Sequence, residues 1–162
     1  MQIRRILYPT DFSEATKAAA NYACDLADQF GAELHVLHDL TSLLPYTAVT
    51  IWAKPEHIGE LIGRTEEIIA AVPDAVWSNG KAIVRKVRVG NVADEITTYA
   101  RQHAIDLIVI GTHGHTGIKH ALLGSTAEKV VRTADCPVLT IRAKGVQVLA
   151  HAPENFVAPV PL

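Results

Sequence analysis

Along this chain, short apolar runs alternate with longer stretches in which apolar residues return every three or four positions. Arg4-Arg5-Ile6-Leu7-Tyr8 predicts a first strand, stopped at Pro9, which has no N–H to give to a ladder. Ala15, Ala18, Ala19, Tyr22, Ala23 and Leu26 then mark one face of a helix whose alanines suit close approach to a sheet. It is expected to close at Gly31, because glycine readily takes the left-handed conformation at a helix end. Glu33-Leu34-His35-Val36-Leu37-His38 predicts a second strand, interrupted by two histidines that read as ordinary sheet residues. No sustained period runs from Asp39 to about Lys54, and with Pro45 and Pro55 as punctuation a long loop or lid-like excursion is expected.

From Glu56 to Val72 the residues Ile58, Leu61, Ile62, Thr65, Ile68, Ile69 and Val72 recur at helical intervals, with Glu56 and Glu60 at the end where the helix dipole favours acids. Pro73-Asp74 and Asn79-Gly80 bracket a further loop. Ala82 to Val89 alternates apolar and basic residues in its latter half, the pattern of an edge strand with one wet face. Asn91 is a plausible N-cap for a helix containing Val92, Ile96, Tyr99 and Ala100. Asp106-Leu107-Ile108-Val109-Ile110 reads as a strand buried on both faces, and Cys136-Pro137-Val138-Leu139-Thr140-Ile141 as the last strand. This alternation predicts an α/β fold, an open doubly wound five-stranded parallel sheet with helices on both faces.

The segment from Gly111 to Ser125 joins a strand to a helix and exceeds the roughly 2–6 residues such connections usually take, which favours a binding loop. Its glycines allow close backbone approach and positive φ. Ser125-Thr126-Ala127-Glu128 has the capping-box pattern, so a helix carrying Ala127, Val130, Val131 and Ala134 should start there. A loop delivered to a helix N-terminus is suited to an anion, most naturally phosphate.

Two separated motifs carry a family resemblance. Gly111-x2-Gly114-x9-Gly124-Ser125 resembles the nucleotide-binding signature of the ATP-binding branch of the universal stress protein family, and Tyr8-Pro9-Thr10-Asp11-Phe12-Ser13 resembles that family's opening motif. The resemblance runs from about Ile3 to Arg142 and implies strand order 3-2-1-4-5. The order reverses between strands 1 and 4, so both motifs should meet in one crevice. It implies that Asp11 contacts the ribose region, that Gly111 and Gly114 pass beside the nucleotide, and that Gly124 and Ser125 meet the phosphates. The whole implied nucleotide set is Pro9, Thr10, Asp11, Asp39, Ile110, Gly111, His113, Gly114, Gly124, Ser125 and Thr126. Where relatives commonly have His followed by a Val that packs on adenine, this chain has His38 followed by Asp39; a carboxylate there either hydrogen-bonds an amino group or spoils an apolar face. The resemblance also implies a homodimer paired through the last strand, with residues 1–142 as the nucleotide-binding domain; after Arg142, Gly145, Pro153, Pro159 and Pro161 punctuate residues 143–162, which read as a tail that is loosely ordered or docked on the partner subunit.

Local alternatives stand beside these roles. Asp11 and Ser125 each fit helix capping as well as ligand contact, and Lys119 fits plain solvation as well as phosphate neutralisation. His113, His115 and His120 follow no zinc spacing and bring no thiolate, so magnesium or manganese arriving with ATP phosphates is preferred to a protein-only metal site. Neither a P-loop nor a dinucleotide fingerprint follows a strand, and no complete phosphoryl-transfer set is present. A nucleotide-responsive binding or regulatory module is therefore expected, with a slow hydrolase or a non-nucleotide interaction protein as alternatives.

Composition narrows the rest. A chain of 162 residues, 49% hydrophobic, is enough for one core. Fifteen basic and seventeen acidic residues, dispersed to a net charge of −2, argue against nucleic acid or an acidic membrane as partner. Cys24 and Cys136 lack metal or redox spacing and read as buried thiols. No signal-like opening and no apolar run of about 18 residues occur, which makes a soluble cytoplasmic protein the expectation.

Overall fold

The computed structural model describes residues 2–42, 55–112 and 123–142. Five strands, β1 (Arg5–Pro9), β2 (Glu33–Asp39), β3 (Ile83–Arg88), β4 (Leu107–Gly111) and β5 (Val138–Ile141), form one parallel sheet in the order β3-β2-β1-β4-β5. Between them run α1 (Glu14–Phe30), α2 (Pro55–Ala70), the single turn α3 (Ala75–Ser78), α4 (Val92–Gln102) and α5 (Ser125–Thr133). This is the doubly wound architecture and strand order expected.

Consecutive strand residues point to opposite faces, and here both faces are dry. Ile6, Tyr8, Leu34, Val36, Leu107 and Val109 join one core with the alanines of α1 and Ile69 of α2. Leu7, Leu37, Ile108 and Ile110 join the other with Ile96 and Tyr99 of α4 and Ala127 and Val130 of α5. Near-continuous apolar runs such as Leu107–Ile110 thus supply two cores at once.

Four local readings need correction. On α1 the buried side chains include Ala19, Ala20, Ala23, Cys24 and Ala27, whereas Tyr22 is 40% exposed. The small residues set the helix down on the sheet, and the ring, too large for that seam, is turned out. The helix does end at Gly31, at φ 60°, with the Ala32 N–H returning to Ala27 O at 2.9 Å. The loop between Pro73 and Gly80 contains α3, one turn too short to show a period; Asp74 accepts from Trp77 N at 2.9 Å, and the buried indole donates to Asp28 at 2.9 Å. On the edge strand β3 the basic residues are not all on a wet face, because Arg85 donates from Nε to Val72 O at 2.8 Å and only Lys86 is exposed. Of the two thiols, Cys24 is fully buried and pushed well up in pKa by that burial, while Cys136 is only half-buried.

The two histidines lie in β2 as expected, and both are buried. His35, 3% exposed, lies 2.9 Å from the Tyr99 hydroxyl through Nδ1 and 3.0 Å from Glu33 through Nε2. Burial lowers its pKa below 6.5, and the Glu33 contact opposes this incompletely. The unfolded chain therefore takes up this proton at higher pH than the folded one, and stability is full above about pH 6.5 and falls as the pH drops below it. Thermal melts from about pH 7.5 to about pH 5 should show a larger loss of Tm for the wild type than for His35→Gln; parallel losses would rule this out.

Candidate functional site

Because all five strands are parallel, the carboxyl ends of β1, β2 and β4 share one edge of the sheet. A cleft of about 270 Å³ opens there. Pro9, Thr10, Asp11, Asp39, Ile110, Gly111, Gly124, Ser125 and Thr126 all line it. His113 and Gly114 lie outside the described residues, as do His115, Lys119, His120, most of the 39–54 excursion and the 143–162 tail. The cleft also takes in Thr16, Leu37, Thr41, Val92, Ile96, Thr112 and Ala127. Val92 could have been anticipated, since it follows the N-cap Asn91 at a helix start; Thr41 carries no sequence signal.

The β1–α1 turn is built by side chains bonding to nearby backbone. Thr10 N–H donates to Leu37 O at 2.9 Å, and Thr10 Oγ1 accepts from Phe12 N at 3.0 Å. Asp11 Oδ1 accepts from Ser13 N at 3.0 Å and from Thr16 Oγ1 at 3.1 Å. Asp11 therefore buttresses the start of α1 from outside, while Ser13 occupies the N-cap position without a side-chain capping bond. Phe12 is held at φ 64°, an uncommon conformation for a bulky residue, and its ring stacks on His38 at 4.3 Å. His38 Nδ1 in turn contacts Thr10 O at 2.8 Å.

Across the cleft, Thr112 N–H donates to Ile141 O at 2.9 Å and Gly124 N–H to Thr112 O at 2.6 Å, so the two ends of the glycine-rich segment are tied together. The N-cap of α5 is Gly124, at φ −70° and ψ 155°, and Ser125 is the first helical residue. Neither the expected serine cap nor a positive φ is present at this helix start; what Gly124 contributes is a missing side chain. No side-chain capping bond is made at Gly124, and the first turn of α5 lines the cleft through Ser125, Thr126 and Ala127. The neighbouring helix start differs: Asn91 caps α4, and Asp94 and Glu95 stand in its first turn. Among the described lining residues there is no lysine or arginine, so an anion here would be met by amides and hydroxyls.

The β2 end of the cleft is acidic. Asp39 is 3% exposed, and its Oδ1 accepts from Thr41 N at 2.8 Å and lies against Thr41 Oγ1. Burial, with the nearby Glu95 charge, raises its pKa above 3.8, opposed by hydrogen bonds from Thr41 and from the Gly90 backbone. Among the described residues no group of three His, Cys, Asp or Glu side chains is arranged to hold a metal ion, and no helix is long and apolar enough to cross a membrane.

Comparison with known families is decisive at this point, because the universal stress protein family model matches residues 2–142. The chain belongs to the universal stress protein family. Universal stress protein MJ0531 of Methanocaldococcus jannaschii is 34% identical over 140 residues, covering 86% of this chain and 82% of that protein. The solved structure of MJ0577 from the same organism superposes with a TM-score of 0.76 at 27% identity, over 90% of this chain and 100% of that one. A universal stress protein from Archaeoglobus fulgidus in complex with dAMP shares the fold, with a TM-score of 0.60 at 22% identity over 86% of this chain and 98% of that one.

Asp39 makes the energetics of this universal stress protein's cleft measurable. A carboxyl whose folded pKa is raised favours folding most below its unfolded pKa, near 3.8, and that contribution is lost as pH rises through the folded value. Asp39→Asn, which keeps an oxygen for Thr41, should therefore raise Tm at neutral pH, with the gain shrinking on acidification. A Tm gain that does not vary with pH would contradict it.

Proposed function

We propose that this universal stress protein is a cytoplasmic homodimer that binds an adenine nucleotide, ATP, and acts as a nucleotide-responsive regulatory or binding module in the stress response. The observation that carries the reading is the cleft at the reversal of strand order, with the first turn of α5, which has no side-chain cap, on one wall and the Thr10-Asp11 turn on the other. Open α/β sheets bind ligands at this place. Uncapped amides and a helix dipole suit phosphate oxygens, and the Asp11 carboxylate suits ribose hydroxyls. The apolar wall of Leu37, Val92, Ile96 and Ile110 suits a base. That a protein of this fold is described with dAMP makes adenine nucleotides the ligand class to test first. Magnesium or manganese would arrive with the phosphates, served by the hard oxygen donors of Thr10, Asp11, Ser125 and Thr126.

Calorimetric titration with ATP, ADP and AMP, with and without magnesium, tests the reading. Ser125→Asp separates binding from folding. A carboxylate in the first turn of α5 favours the helix by about 0.3–1 kcal/mol, yet it should repel phosphates and weaken ATP binding by about tenfold or more. Unchanged affinity in the folded variant would dismiss the phosphate assignment.

Support for the dimer is the position of β5 at the end of the sheet, with Leu139 36% exposed on it and Val131 46% exposed on the adjacent α5. A charge placed on an edge strand discourages pairing. Leu139→Lys should shift light scattering from dimer to monomer, and a dimer that persists would exclude pairing through β5.

A further inference from the structure

We propose that the nucleotide cleft is proton-sensitive: His35 and Tyr99 brace α4 against β2 one rung below the ligand site, and a proton taken up by His35 breaks that brace and weakens binding. The inference rests on the nucleotide reading above and adds how the same site is regulated.

Brace and cleft are built from the same two elements. Alternate residues of a strand share a face, so Glu33, His35 and Leu37 of β2 point to one side, successive members about 7 Å apart. Ile96 and Tyr99, three positions apart on α4, are neighbours on one helix face. The upper rung is Leu37 with Ile96, which share a core and both line the cleft. The lower rung is His35 with Tyr99, the imidazole Nδ1 lying 2.9 Å from the hydroxyl. A displacement of α4 from β2 at Tyr99 therefore reaches the cleft wall within one helical turn.

Glu33 decides where the ring hydrogen sits. A carboxylate only accepts, so His35 Nε2, 3.0 Å from Glu33 Oε2, carries the hydrogen and donates it. In the neutral ring Nδ1 is then the acceptor for the Tyr99 hydroxyl. A proton added at Nδ1 sets two hydrogens against each other across that contact. The hydroxyl must turn its own hydrogen elsewhere, yet Tyr99 is 1% exposed and His35 is its one hydrogen-bond partner among the described residues. A buried donor left without an acceptor is costly, and opening the contact relieves it.

The surroundings resist the charge as well. On β2, Glu33 favours an imidazolium, but its side chain is 39% exposed and Arg5 of β1 shares the same oxygen at 3.7 Å. From α4, the His103 ring lies 5.8 Å from His35 and stacks on Tyr99 at 4.0 Å. On β3, uncharged Val84 stands opposite His35; two and four residues on come Lys86 and Arg88, whose guanidinium lies 5.8 Å from the Tyr99 ring. Of these groups Glu33 alone is acidic. Burial, with His103 and Arg5 adding to it, accordingly makes His35 titrate below the usual 6.5 despite Glu33. The brace is thus intact at neutral pH and is lost as the pH falls below about 6.5. By linkage, bound nucleotide resists protonation of His35 by the same factor by which the proton weakens binding.

Dissociation constants for ATP at about pH 7.5 and about pH 5.5, measured on the wild type, His35→Gln, Tyr99→Phe and His103→Asn, test the proposal. The phosphates of ATP titrate in this range too, equally for every variant, so the quantity read is each variant's ratio of the two constants. On acidification the wild type should lose about tenfold more affinity than His35→Gln, which cannot take up the proton. Tyr99→Phe has no hydroxyl to strand and should follow His35→Gln, whereas His103→Asn should follow the wild type. A wild-type ratio equal to that of His35→Gln overturns the inference and leaves the nucleotide reading standing. Loss of the pH effect in His103→Asn also overturns it, because the sensing group is then His103. A wild type that binds no ATP at either pH overturns both readings. Melting curves at each pH confirm that the variants are folded, and the nitrogen shifts of the His35 ring report its proton directly; a ring that stays neutral down to about pH 5.5 likewise sinks the proposal.

Discussion

Parallel pairing of β1 with β4, Ile6 against Leu107 and Leu7 against Ile108, is the constraint from which the rest of the molecule follows. It joins segments about a hundred residues apart in sequence. Asp106 reinforces it at the opposite edge of the sheet, where Oδ2 accepts from Arg4 N at 2.8 Å and Arg5 N at 2.9 Å. On one side of this seam the chain proceeds through α1 and α2, which cover one face; on the other it proceeds through α4 and α5, which cover the opposite face. Connections leaving β1 and β4 therefore diverge, and the cleft is the space between them.

What lines that space is unevenly charged. One wall is the first turn of α5, whose N-cap Gly124 makes no side-chain capping bond. The far end is a buried carboxyl with one oxygen committed. Hydroxyls and aliphatic side chains lie between. The described residues lining it include no lysine or arginine. The turn that supports it contains a strained Phe12, at a cost of about 1–3 kcal/mol. That cost is offset by stacking on His38 and by the Thr10 hydrogen bond, both of which depend on β2 lying beside β1.

Much of this was legible from local pattern where the pattern was long. The helical periods, the apolar runs of β1 and β4 and the glycine after α1 correspond to elements of the fold because burial of a repeating face dictates them. Short or mixed signals failed for physical reasons. A single turn seating Trp77 has no period to detect. Tyr22 and Ala23 are equally apolar on paper, and only the width of the helix–sheet seam separates them. Arg85 reads as solvated until the carbonyl of Val72 is seen beside it. The capping-box pattern at Ser125 is satisfied by sequence, yet the chain enters the helix one residue earlier, at Gly124. In the candidate site, Pro9, Thr10, Asp11, Gly111, Gly124 and Ser125 of the two motifs line one cleft, with Gly114 outside the described residues, whereas Thr16, Thr41 and Thr112 came only with the coordinates, since their place there depends on strands separated in the chain.

By itself, the sequence determined the class of fold, the family and the two motifs, because hydrophobic period and glycine spacing are local properties carried by consecutive residues. Tertiary structure alone decided that Asp39 is buried with Oδ1 engaged by Thr41, and that the helix start of α5 at the cleft has Gly124 without a side-chain cap where α4 has Asn91. Burial, partner choice and field direction depend on which distant segments become neighbours, and no stretch of chain encodes that on its own.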